Sequence, residues 1–174
     1  MATVRSGGIV CFGVKKVIDG VPRGCVRERS ANLMNNRYLW RAKRIDNGEW
    51  VEGLLTIMWG QLHIIVPEDE NTAYPIDEST ICQCTGLKDK SGKLIWESDI
   101  IKYHFGDVCA PIRYGEYQSC FDSTSTGHIG FYVDWTETKR ENMRKDLGYW
   151  INMIGAEVVG NMFDNPELSE AAHN

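Results

Sequence analysis

Two cysteines one residue apart, Cys82 and Cys84, are the sharpest candidates for metal chemistry in the chain. On a strand, the period of two turns both thiols to one face, where Cys109, Cys120, His104 or His128 would complete a tetrahedral zinc site. Zinc sites generally show a second closely spaced pair, and Cys109 and Cys120 stand far apart. The two are therefore expected to be ordinary buried thiols, with no metal and no cofactor. Cys120 and His128 flank one loop and would form a nucleophile and base if within hydrogen-bond reach. No third orienting group or oxyanion hole is marked around them, so no catalytic residue is assigned and a non-enzymatic protein is expected. His63, inside the apolar run Leu62 to Val66, is expected to be a hydrogen-bonded core or face residue.

Binding chemistry has more material. Lys139, Arg140, Arg144 and Lys145 form the best basic patch, with Glu137, Glu141 and Asp146 interleaved. With Tyr114 and Trp135 as stacking rings, these cations are the candidate contacts for a nucleotide or nucleic acid, since small barrels combine aromatics for bases with cations for phosphates. The competing expectation is a solvated charged face, with about half of Tyr103, Tyr114, Tyr117, Tyr132 and Trp135 turned inward by the strand period. Lys88, Lys90 and Lys93 are offered on a turn with Asp89 between two of them, which makes a solvated turn the default. No Gly-Lys-Ser or Gly-Lys-Thr follows any glycine cluster, so no phosphate loop is present.

The elements that must position these residues are β. Tyr38 and Trp40 alternate with Leu39 and Arg41, Asp46-Asn47-Gly48 closes a hairpin onto Glu49 to Met58, and Trp59-Gly60-Gln61 feeds Leu62 to Val66. This predicts a three-stranded meander. Pro75 to Glu78 precedes either a helical turn capped by Asp77 or Ser79 or direct entry into a strand at Ile81 to Thr85. Further strands are expected at Asp99 to Tyr103, Pro111 to Tyr117, Ile129 to Trp135, Gly148 to Ile154 and Ala156 to Phe163, while Thr136 to Leu147 suits a helix or a long loop. Short strands between turn signals favour a small barrel or sandwich over βαβ units.

Length and composition bound the class. The 174 residues suffice for one domain or two small ones sharing an interface. No apolar stretch approaches the roughly 18 residues a membrane span requires, and no export signal is formed by the Gly- and Lys-broken start, so a reducing cytoplasm and no membrane are expected. Residues 1 to 33 hold six basic and two acidic side chains, a net of +4, so of the total of −5 the remainder carries −9. An acidic body argues against broad contact with a phosphate backbone, which relies on a basic footprint. Met34 opens the patterned stretch, and residues 1 to 33 are expected to be a disordered or loosely attached arm, or an extension ahead of an internal start.

RAKRIDNGEWVEG at 41 to 53, TGLKDKSGKLIWESDIIKY at 85 to 103, IRYGEY at 112 to 117, GHIGFYVDW at 127 to 135 and EVVGNMFDNPEL at 157 to 168 together resemble the YopX family. That family is found mostly in phages and prophages of Gram-positive bacteria. One departure is Ser98 before Asp99, where the family usually has Gly. The resemblance implies a mainly β fold with minor α: an N-terminal antiparallel meander (34 to 84) packed with a C-terminal SH3-like small barrel (85 to 165), then a flexible tail (166 to 174). The resemblance carries over no activity; with no catalytic set in the chain, exposed strand edges and aromatic surface lead us to expect a non-enzymatic phage or prophage accessory protein of the host cytoplasm, a binding or oligomerising module acting with itself or with a host or phage protein. The alternative is a nucleotide or nucleic-acid binder with a counter-defence or replication-modulating role.

Overall fold

A computed structural model describes residues 36–67, 69, 71–102, 108–119, 124, 126–136 and 143–170, which lie within the second of two units of the chain, Asn35–Asn174. The expectation for residues 1 to 33, and those for Tyr103, His104, Cys120, Lys139 and Arg140, fall outside the described residues.

The fold is mainly β, with two antiparallel sheets and few helical turns. Strands β1 (Trp40–Lys43), β2 (Trp50–Met58) and β3 (Gln61–Ile65) make the expected three-stranded meander, β4 (Ala73–Pro75) adds an unexpected fourth strand, and β5 (Cys82–Lys88) and β6 (Leu94–Trp96) join on the β1 side, giving the order β4-β3-β2-β1-β5-β6. Strands β7 (Asp99–Lys102), β8 (Cys109–Gln118), β9 (Gly127–Val133) and β10 (Glu157–Asn161) form the second sheet in the order β10-β7-β8-β9. Both orders have free ends, and closure into an SH3-like barrel is not among the described pairings. The sheets part between Trp96 and Asp99, while β5 runs across the boundary drawn at residues 84 and 85.

Local chemistry accounts for the turns. Trp59 and Gly60 both have positive φ, as a two-residue hairpin loop between paired Met58 and Gln61 demands. Asp77 caps the 3-10 turn Glu78–Thr80 by accepting from the Ser79 N–H at 3.0 Å, which decides for the helical turn there. Ser98 adopts φ 63, so the left-handed conformation expected of Gly is kept with a side chain in place. The Ser98 N–H donates to Ile112 O at 2.8 Å and its carbonyl accepts from the Met162 N–H at 2.9 Å, tying β8 and the segment after β10 to this one turn.

One expected strand is corrected. Gly148 to Ile154 is helical: a helix at Leu147–Tyr149 runs into a π turn at Trp150–Ile154, closed by Gly155 at φ 66. The buried residues Leu147, Trp150 and Ile151 recur at the three- and four-residue spacing of a helix face, which a period-two reading of the run misses. Glu167–Glu170 is a short helix in the stretch expected to be a tail.

Three cores result. Ala42, Val51, Ile64 and Ile76 fill one face of the meander, and Cys82, Cys84 and Trp96, with Trp50 and Phe163 against them, fill the other. Ile95, Ile101, Ile112, Val133, Trp135, Leu147 and Trp150 form the third, under the second sheet. Gly53 is required at its position in β2, because a Cβ there would lie 2.1 Å from the Ile65 carbonyl oxygen.

Candidate functional site

Strand β8 is buried at Cys109 to Ile112 and open from Arg113 onward. The reason is topological: β7 pairs only with Cys109 to Pro111, whereas β9 follows β8 out to Gln118. Gly115–Gln118 with Gly127–Gly130 therefore runs out as a two-stranded ribbon beyond the three-stranded part of the sheet. Cross-strand partners share a face, so Tyr114 and Phe131 lie on one side with Glu116 and Ile129. The Tyr114 and Phe131 rings meet edge to face at 5.1 Å, yet Tyr114 remains 53% exposed and Ile129 77%. The other face carries a stack in which Tyr117 lies against His128 and against Tyr132, each at 5.3 Å.

At the root of that second face, Asp146 accepts from Arg144 Nε at 2.7 Å, Ser119 Oγ at 3.2 Å and Tyr117 OH at 3.4 Å. Partial burial would raise its carboxyl, but the hydrogen bonds from Arg144 and Ser119 and the Arg144 charge hold it below the ordinary range. The Arg144 guanidinium lies 4.7 Å from the centre of the Tyr149 ring.

The sequence candidates separate in space. Trp135 is 0% exposed and packs on Trp150, so it belongs to the core and is corrected as a stacking contact. Its indole N–H and that of Trp150 both donate to the Arg144 carbonyl, at 3.1 and 2.6 Å. Arg144 is thus held by its backbone as much as by its charge. Lys145 has its carbonyl bound by the Val133 N–H at 2.9 Å. Tyr114 alone of the two proposed rings faces outward. Lys139 and Arg140 are outside the described residues, as is Cys120, and His128 is stacked on Tyr117.

Cys82 and Cys84 do share a face, as the strand period requires, but both are fully buried, and burial pushes both thiols up. Cys82 Sγ donates to the Thr80 carbonyl at 3.4 Å. No group of three or more His, Cys, Asp or Glu side chains that would hold a metal ion occurs among the described residues. His63 is buried, with Nδ1 3.0 Å from the Gln61 carbonyl oxygen.

Sequence reasoning passed over two residues. Trp59, at the β2–β3 tip, is 89% exposed beside exposed Ile57. The clue was a Trp-Gly pair where hairpin loops usually place Asn-Gly. Ile129 was counted only as a strand former, although it lies in a strand without a single Asp, Glu, Lys or Arg. A shallow depression of about 550 Å³ beside β1 and β3 is lined by Lys43 and Arg44 but also by Asp77 and Glu78, and its mixed charge selects no ligand sign.

A mainly β protein of two antiparallel sheets, one of which extends an aromatic ribbon, is the class this geometry defines. The chain belongs to the YopX protein family, whose model matches residues 40–170. No curated protein sequence matches it. The match takes in every strand among the described residues, and it ends with the short helix Glu167–Glu170. Among the described residues no helix is long and apolar enough to cross a membrane.

Proposed function

We propose that this YopX-family protein is a phage- or prophage-encoded accessory protein of the bacterial host cytoplasm that works without catalysis, as a binding and self-associating module. The observation that carries this is the β8–β9 ribbon, on which Tyr114 and Ile129 stay exposed on one face. A two-stranded ribbon is marginal by itself, and apolar side chains on it gain most by being covered by another chain. Tyr114 supplies the amphipathic ring favoured at the centre of interfaces.

A second reading, binding of a nucleotide or nucleic acid, draws on the stacked Tyr117, His128 and Tyr132 with Arg144 nearby. It is the weaker of the two, because Asp146 sits against Arg144 and offsets its charge. Native mass spectrometry of the full chain purified from its host tests both. A mass above monomer, as a homo-oligomer or with a host or phage protein, supports the first reading. A retained nucleotide or oligonucleotide moves the assignment to the second, and a bare monomer overturns both.

A further inference from the structure

Among the described residues the two sheets present four edge strands, and three of them are guarded. β4 is three residues long and ends on Pro75, and β6 is also three residues long. β10 carries a register irregularity between Val158 and Gly160 and begins on Glu157. Short length, proline, bulges and charge are the means by which proteins keep sheet edges from pairing. β9 has none of them: it is seven residues, in unbroken register with β8, and contains no Pro, Asp, Glu, Lys or Arg.

The direction of its backbone groups follows from two hydrogen bonds. The Asp134 N–H donates inward to Pro111 O at 2.9 Å, and the Val133 N–H donates outward to Lys145 O at 2.9 Å. Strand geometry then turns the N–H and C=O of Gly127, Ile129 and Phe131 away from β8, along with those of Val133. Lys145 and Asp146 cover the edge at Val133 and Tyr132. Among the described residues no strand lies beyond β9 from Gly127 to Phe131, and Ile129 is the middle of that stretch. The far side of the ribbon is different, since β8 carries Arg113 and Glu116, charges of a kind that β9 lacks.

We infer that the open stretch Gly127–Phe131 of β9 pairs antiparallel with the same stretch of a second copy of this chain, with Ile129 facing Ile129 across a two-fold axis. This rests on the self-association reading above and names its surface. A two-fold interface sets one patch against itself, so the strand that suits it has no charge to repel its own image and has its outward-directed groups centred on the axis. β9 meets both conditions. The pairing continues the second sheet across two copies, covers the exposed Ile129 side chains with each other, and ends where Lys145 and Asp146 already occupy the edge. An extended peptide of another protein would use the same hydrogen bonds but would not require the symmetry about Ile129.

The test uses the full chain in solution. Light scattering over a range of concentration should give a dimer or a multiple of it for the wild type. Ile129→Lys, which adds an edge charge, and Ile129→Pro, which removes one outward N–H while leaving the β8 ladder whole, should each weaken association at least tenfold with the β-sheet circular dichroism retained. Should either variant lose its fold, Ile129→Cys reports instead. A short thiol-to-thiol cross-linker should yield a covalent dimer well above the wild-type background, while Met153→Cys, exposed elsewhere, should not. Variants that fold and keep the wild-type mass, or an Ile129→Cys chain that cross-links no better than Met153→Cys, overturn the β9 interface and leave the self-association reading standing. A wild type that is monomeric at every concentration overturns both.

Discussion

Arg41 Nη2 donates to Asp99 Oδ1 at 2.5 Å, joining β1 of the first sheet to β7 of the second in a buried ion pair. The other Asp99 oxygen accepts the Trp96 N–H at 2.9 Å, and the guanidinium lies between the Trp50 and Trp96 rings, 4.8 and 5.4 Å from their centres. Burial pushes the Asp99 carboxyl up against the pull of Arg41, and Arg41 Nε, buried and unpartnered, adds to the cost of the arrangement. Removing one partner should therefore hurt more than removing both. Arg41→Met should destabilise by about 3–5 kcal/mol and Arg41→Met with Asp99→Leu by clearly less, read by urea unfolding.

Ser98 holds φ 63 with a Cβ that resists it, while its N–H and carbonyl anchor Ile112 and Met162. Ser98→Gly should raise stability by a few tenths to about 1 kcal/mol, the left-handed penalty removed less the added freedom of the unfolded chain. Thermal unfolding decides this; a drop in Tm would show that the hydroxyl does more than the backbone.

The Cβ introduced by Gly53→Ala would meet the Ile65 carbonyl oxygen at 2.1 Å, and that neighbour is backbone of the paired strand. The strands must separate locally, at a cost of about 2–3 kcal/mol. Denaturant unfolding that shows less than 1 kcal/mol would mean that β3 shifts more freely than its pairings suggest.

Trp59 combines φ 51 with 89% exposure, a left-handed backbone and an apolar ring left in water, each at a cost to the folded chain. Trp59→Asn should stabilise the hairpin by about 1 kcal/mol, since Asn-Gly is the pair this loop geometry favours. A loss of stability in thermal unfolding would place Trp59 in the packing of its own chain, its edge-on contact with His63 at 6.2 Å being the only ring contact described for it.

Asp164 ties the segment after β10 to the first sheet: it accepts from Lys43 Nζ at 2.7 Å, Trp50 Nε1 at 2.7 Å and Asn161 Nδ2 at 2.8 Å. Burial alone would raise its carboxyl, but these bonds outweigh it and hold it at about 2, below the ordinary 3.8. A depressed folded-state value stabilises above pH 3.8 and is lost as pH falls toward 2. With the side chain partly open to water the effect is about 1 kcal/mol, and Asp164→Asn should remove that part of the acid dependence between pH 4 and 2.

Much of the fold was legible in the chain because strand signals are local. Asn47-Gly48 and the Trp59-Gly60 turn depend on neighbours a few residues away, and the meander follows from them, whereas Tyr38, expected to alternate within the first strand, lies in a 3-10 turn (Asn36–Tyr38) and the strand begins at Trp40. Gly148 to Ile154 failed as a strand for a related reason: a short apolar run fits either period, and the cluster of Trp135, Trp150 and Ile151 settles it. The candidate site was much less legible. Trp135 and Tyr114 look alike in sequence, and only the end of β7 pairing at Pro111 makes one core and the other surface.

The sequence by itself determined a β protein of this family, the places where its chain must turn, and the charge-free composition of Gly127 to Val133. Tertiary structure alone decided that Arg41 meets Asp99, that Asp164 clasps Lys43 and Trp50, and that β9 is an edge. The division is physical: turn and strand preferences are set within a few residues, whereas ion pairs and sheet edges depend on which distant segments lie side by side.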